Sequence, residues 1–97
     1  MLTVHPNAES ISSAQGITPA QFKAGLNMVK QALNGNGACS VSRISQTEKQ
    51  WLRVKAQKSN IRAIVSVPDE NTVVLIAVLP RDSHTYDTVE QLHRAGV

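Results

Sequence analysis

Arg53 and Lys55 stand two residues apart in the run Trp51-Leu52-Arg53-Val54-Lys55-Ala56, and Arg62 opens the next apolar run. Lys58 lies between the two runs, while Arg81 and Tyr86 follow the long aliphatic segment 72–79. Fixed cations beside an aromatic ring are what a protein needs to hold RNA phosphates and a stacked base. Cleaving RNA with its own 2′-hydroxyl needs a proton acceptor, charge stabilisation on the phosphorane and a donor to the departing 5′-oxygen. Cationic side chains supply the second requirement without a metal or a histidine pair. His84, set between Arg81 and Tyr86, adds a group that titrates near neutral pH.

The charge distribution points the same way. The net charge is only +3, yet Arg43, Lys49, Arg53, Lys55, Lys58 and Arg62 crowd the middle of the chain against Glu48 alone. Asp69, Glu70, Asp82 and Asp87 come later. Such a basic stripe implies a polyanionic partner, and it adds Arg43, Lys49, Lys58 and His84 to the candidate RNA contacts. Each candidate also has a plainer reading. Arg53 and Lys55 could guard an edge strand against aggregation. Arg81 could pair with Asp82 or Asp87, and Tyr86 could cap the core. His5, His84 and His93 are far apart, with no carboxylate or cysteine at ligand spacing, so no metal site is expected. Gly35-Asn36-Gly37 is too short for a phosphate loop, and no serine sits in a nucleophile elbow. No cofactor is implied, and Trp51 reads as packing.

These residues need a scaffold. Ninety-seven residues, 41% of them apolar, fit one folded domain spanning 1–97. With Phe22, Trp51 and Tyr86 the only aromatics, the core must be aliphatic. The single Cys39 excludes an internal disulfide and fits a reducing compartment. No run is long and apolar enough to span a bilayer, and no leader pattern opens the chain, so a cytoplasmic protein without membrane contact is expected.

Residues 1–5 predict a short strand stopped by Pro6, and Asn7–Gln15 one or two helical turns before Gly16. Thr18-Pro19-Ala20-Gln21 is a capping box that starts a helix ending at Gly35. Phe22, Leu26, Val29 and Leu33 should form its inward stripe. Val41 and Ile44 mark a strand. Trp51–Ala56 alternates as a half-buried strand, with Arg53 and Lys55 facing away from the core. Residues 61–67 form the next strand, Pro68–Asn71 a turn, and 72–79 a central strand stopped by Pro80. Residues 85–94 can form a short helix. The expectation is an α+β domain: one or two N-terminal helices packed on a small, mainly antiparallel sheet of about four strands, then a short C-terminal helix.

This order and spacing resemble RelE-type toxins of bacterial toxin–antitoxin systems, within the RelE/ParE superfamily. The resemblance covers nearly the whole chain. It is carried by Trp51-Leu-Arg-Val-Lys55, Ile61-Arg62-Ala-Ile-Val-Ser-Val, the Pro-Asp-Glu-Asn turn, 72–79 and Arg81-Asp-Ser-His-Thr-Tyr86. It implies a catalytic set of Arg53, Lys55, Arg62, Arg81 and Tyr86. Arg53 takes a place where a family member carries lysine, a better proton acceptor than the always-charged arginine. The spacings from Arg62 to Arg81 and from Arg81 to Tyr86 each run one residue short. The implied activity is metal-independent cleavage of mRNA in the ribosomal A site, inhibiting translation and growth. The implied partners are a cognate antitoxin, the ribosome with its mRNA, and promoter DNA through the antitoxin complex. The same fold also hosts ParE-type toxins, which inhibit DNA gyrase by binding, and a non-toxic binding protein would share it too.

Overall fold

Period-two alternation and β-branched runs build the strands of this chain, and two helices separate the first strand from the rest. The computed structural model describes residues 1–35, 39–43, 51–56, 59–81, 91, 92 and 94. Its elements are β1 (Leu2–Val4), α1 (Ala8–Ala14), α2 (Pro19–Leu33), β2 (Cys39–Arg43), β3 (Trp51–Ala56), β4 (Ile61–Asp69) and β5 (Thr72–Pro80). The strands form one five-stranded sheet in the order β1-β5-β4-β3-β2. All neighbours pair antiparallel except β1, which runs parallel to β5. The fold is α+β. Its sheet has five strands rather than about four, because both Leu2–Val4 and Cys39–Arg43 pair into it. Ile44 and most of the expected C-terminal helix lie outside the described residues; Gln91, Leu92 and Arg94 are helical.

Local chemistry starts and stops α2. The Thr18 hydroxyl accepts from the Gln21 amide at 3.2 Å, and the Gln21 side chain accepts from the Thr18 amide at 2.9 Å. Two of the orphan amides at the helix start are thereby satisfied. Asn34 closes the helix, and Gly35 turns the chain at φ +79°.

The inward face of α2 is centred on Gly25, Met28 and Val29, with Phe22 and Ala32 packed beside them. Leu33, expected inward, is 54% exposed. At about 100° per residue, Leu26 and Leu33 fall about 80–100° from Gly25, on the flank of the contact line. Gly25 sets that line. A Cβ there would lie 2.5 Å from Cγ2 of Val78, so α2 approaches β5 more closely than any side chain would allow.

The other edge of β5 is covered in two parts. β1 pairs with it only from Val73 to Leu75. Beyond that point α1 takes over: buried Ser12 accepts the Val78 amide through its hydroxyl at 2.8 Å and donates to the Ala8 carbonyl at 2.7 Å. One hydroxyl thus replaces a missing strand and keeps a buried amide satisfied.

Two irregularities shape the sheet. Ile76 is an extra residue in β5 between the Val65–Leu75 and Ile64–Ala77 pairs. A second shift, between Ser66 and Asp69, takes up Val67 and Pro68, which allows a proline within the strand. The turn expected over 68–71 therefore shrinks to Glu70 and Asn71. There the Asp69 carboxylate accepts from the Asn71 amide at 2.8 Å. That bond, and then the Thr72 side chain, hold the Asp69 pKa below its ordinary value. The carboxylate's support of the turn is complete above the ordinary value and fades as pH falls through the lowered one.

Aliphatic side chains fill both faces of the sheet. Under α2 lie Val54, Ala63, Val65, Leu75 and Val78. On the other face Trp51, Ile64, Ile76, Ala77 and Leu79 cluster, with Ile11 of α1 and Leu92 packed against them. Two substitutions test this frame by urea unfolding. Ser12→Ala strands the Val78 amide and should cost about 1–3 kcal/mol. Gly25→Ala should cost a similar ~1–3 kcal/mol by overpacking against the β-branched Val78.

Candidate functional site

Strand register decides which basic residues meet. Ser42 pairs with Arg53, Arg53 with Ile64, and Ile64 with Ala77. Cross-strand partners share a face, so Arg53 and, two residues on, Lys55 lie on the Trp51–Ile64–Leu79 side, opposite α2. Arg62 pairs with Leu79 and lies on that side as well. Lys55 and Arg62 stand one step beyond the Val54–Ala63 pair, on neighbouring strands. Strands lie about 4.8 Å apart and residues two apart along a strand about 6.6–6.8 Å. Arg53, Lys55 and Arg62 therefore occupy neighbouring positions on one face of the sheet.

Arg81 belongs to the same end of the sheet. It follows Pro80 directly, and its amide donates to the Asn60 carbonyl at 2.8 Å, just where β4 begins. Lys55, Arg62 and Arg81 thus gather at that end, with Arg53 one pleat further in. Arg81 is exposed, whereas Arg53, Lys55 and Arg62 are half-buried.

The setting of the cations differs from the expected solvent-facing surface. Trp51 shares their face, yet it is only 2% exposed, and the Nε of Arg53 is buried. Trp51 of β3 belongs to the cluster of Ile64, Ile76, Ala77 and Leu79, against which Ile11 and Leu92 pack. The same face also carries Ser40 and Ser42 on β2, Arg53 and Lys55 on β3, and Arg62 on β4. Nor do the cations guard an edge, because β3 is an interior strand with β2 outside it.

The electrostatics follow from composition. β2, β3 and β5 carry no Asp or Glu, and the only acid of β4 is Asp69, at the turn end. Within the described strands, basic side chains therefore outnumber acidic ones on β2, β3 and β4 together. Among the described residues, no group of three His, Cys, Asp or Glu side chains could hold a metal ion together.

No family model, curated protein or solved structure matches this chain.

Tyr86, His84, Lys58 and Lys49 lie outside the described residues, and Arg43 is described only as the last position of β2, paired with Leu52. An apolar cleft of about 380 Å³, lined by Leu2, Val4, Leu26, Lys30, Leu33 and Asn34, opens between β1 and α2. It lies on the opposite side of the sheet and contributes nothing to the cationic patch.

Trp51 packs rather than binds. As the only tryptophan, it reports this directly: its emission should be blue-shifted and resist acrylamide quenching. Single-stranded RNA should not quench it, whereas a base stacked on the indole would.

Proposed function

We propose that this chain is a metal-independent endoribonuclease of the RelE-type toxin kind, cleaving mRNA in the ribosomal A site by attack of the RNA 2′-hydroxyl. The observation that carries the reading is the register that gathers Arg53, Lys55 and Arg62 on one face, with Arg81 at the same end of the sheet. The element order, a leading strand, two helices and then a meander returning beside the first strand, adds support.

The roles follow from chemistry. Lys55 and Arg62 stabilise the charge that builds on the phosphorane. Arg53 holds the nucleophile side, Arg81 serves the departing 5′-oxygen, and Tyr86 stacks on and orients a base. Arginine is a weak proton donor and acceptor in water, so His84 is the alternative acid–base group. Weak acid–base groups leave positioning as the main source of rate, and a ribosome holding the mRNA would supply it. A toxin of this kind is held in check by a cognate antitoxin, whose acidic surface would complement the patch.

Primer extension on a translated reporter mRNA after brief induction tests the reading. The wild-type chain should produce cuts in step with codons, and folded Arg81→Ala should lose them by about 10²–10³-fold in rate. Cuts that persist unchanged in that variant remove Arg81 from the mechanism. Growth arrest without any cuts overturns the nuclease reading in favour of gyrase inhibition.

A further inference from the structure

The two edges of the sheet are built differently. β2 carries Ser40, Ser42 and Arg43, whereas β1, at the other edge, is Leu2-Thr3-Val4 with no charged residue. Charges and bulges protect edge strands from pairing, and β1 has neither; only its brevity limits it. The Val73 amide donates to the Met1 carbonyl at 2.8 Å, and the His5 amide donates to the Leu75 carbonyl at 2.9 Å. Met1, Thr3 and His5 therefore turn their backbone groups toward β5. Leu2 and Val4, of opposite parity, turn two amides and two carbonyls to the outer edge. Among the described residues no strand pairs there.

The same two residues line the apolar cleft of about 380 Å³, together with Leu26, Lys30, Leu33 and Asn34. Lys23, Leu26, Lys30 and Leu33 recur at i, i+3, i+7 and i+10, which sets them within about 80° on one flank of α2. Val4 is 44% exposed and Leu33 54%, so apolar surface stands uncovered beside the open edge. Neither β1 nor α2 contains Asp or Glu.

Together these features specify an occupant. Outward backbone groups pair with an extended chain, a cleft takes its alternate side chains, and the lysines select an acid. A second copy of this chain fits less well. Antiparallel pairing of two β1 strands would put both α2 helices on one side of the joined sheet, with their lysine-bearing flanks adjoining.

We propose that β1 and the Lys23–Leu33 flank of α2 form a docking site for an extended acidic peptide segment of another protein, which adds to the sheet beside β1. The side chains that it turns toward α2 are apolar in the cleft and Asp or Glu where they pass the lysines. The site lies across the sheet from Arg53, Lys55 and Arg62, so it stands or falls separately from the nuclease reading.

The test is anisotropy of a fluorescein-labelled seven-residue peptide titrated with the full chain at low salt, with thermal unfolding as the folding control. The peptide alternates threonine with two inner leucines and two outer glutamates. It should bind. Leu33→Ser and Lys30→Glu, both at exposed positions, should each weaken binding about five- to tenfold with an unchanged thermal midpoint. A peptide with lysines in place of the glutamates should prefer Lys30→Glu to the wild type. N-methylation of the leucines should abolish binding if the peptide runs antiparallel to β1, and of the threonines if it runs parallel, with the other set tolerated. Full affinity of both methylated peptides overturns strand addition. No binding by the wild-type chain, or unchanged affinity in both variants, overturns the site. A wild-type dimer in sedimentation that Leu33→Ser dissociates makes a second copy the occupant and overturns the peptide assignment.

Discussion

Val78 is the position on which the rest of this fold depends. Its amide is held by the Ser12 hydroxyl of α1, and its side chain fills the space that Gly25 leaves under α2. Both helices are thereby located against one residue of β5. β5 in turn pairs with β4, and β4 with β3, so helix placement and strand register are one problem. The function proposed here needs that register to be unique. A one-residue slip of β3 would turn Arg53 and Lys55 under α2 and bring Leu52 and Val54 to the other face. The buried Trp51 and Val54, on opposite faces of the strand, make such a slip costly.

The mixed face of the sheet is the second constraint. A sheet selected for stability alone would carry aliphatic or β-branched residues at 53, 55 and 62, since interior strands are where they pack best. Here half-buried cations on β3 and at the start of β4 share the face with Trp51, Ile64 and Leu79. Partial burial weakens solvent screening of these charges, so they act more strongly on an anion than surface lysines would. It also restrains their long side chains before a ligand arrives, reducing the entropy lost on binding. Departures from local stability of this kind are expected at functional sites.

Much of this could be read in the chain. Thr18, Pro19 and Gln21 announced the start of α2, because a capping box is entirely local. The alternation of Trp51–Ala56 separated the two faces of β3 correctly, since side-chain direction in a strand depends only on parity. What failed depended on distant partners. Leu33 has the right spacing for an inward residue, but the contact line of α2 is set by Gly25 against Val78, more than fifty residues later in sequence. Pro68 looks like a turn residue and sits in β4, because the bulge that accommodates it is a property of the pairing with β5. Ser12 looked like one serine among many, and its role exists only because β1 stops at Val4. For the site, parity put Arg53 and Lys55 on one face, but that β3 is an interior strand rather than an edge depends on its pairing with β2.

The central claim is that the face of the sheet carrying the cations, and not the α2 side, receives RNA phosphates. Amide and side-chain chemical-shift mapping of the labelled chain during titration with single-stranded RNA tests it most directly. The predicted result is a contiguous set of shifts at Arg53, Lys55, Arg62 and Arg81, salt-dependent in amplitude, with Leu26, Lys30 and Leu33 unmoved. Shifts confined to the α2 side, or none at the four cations, would contradict it.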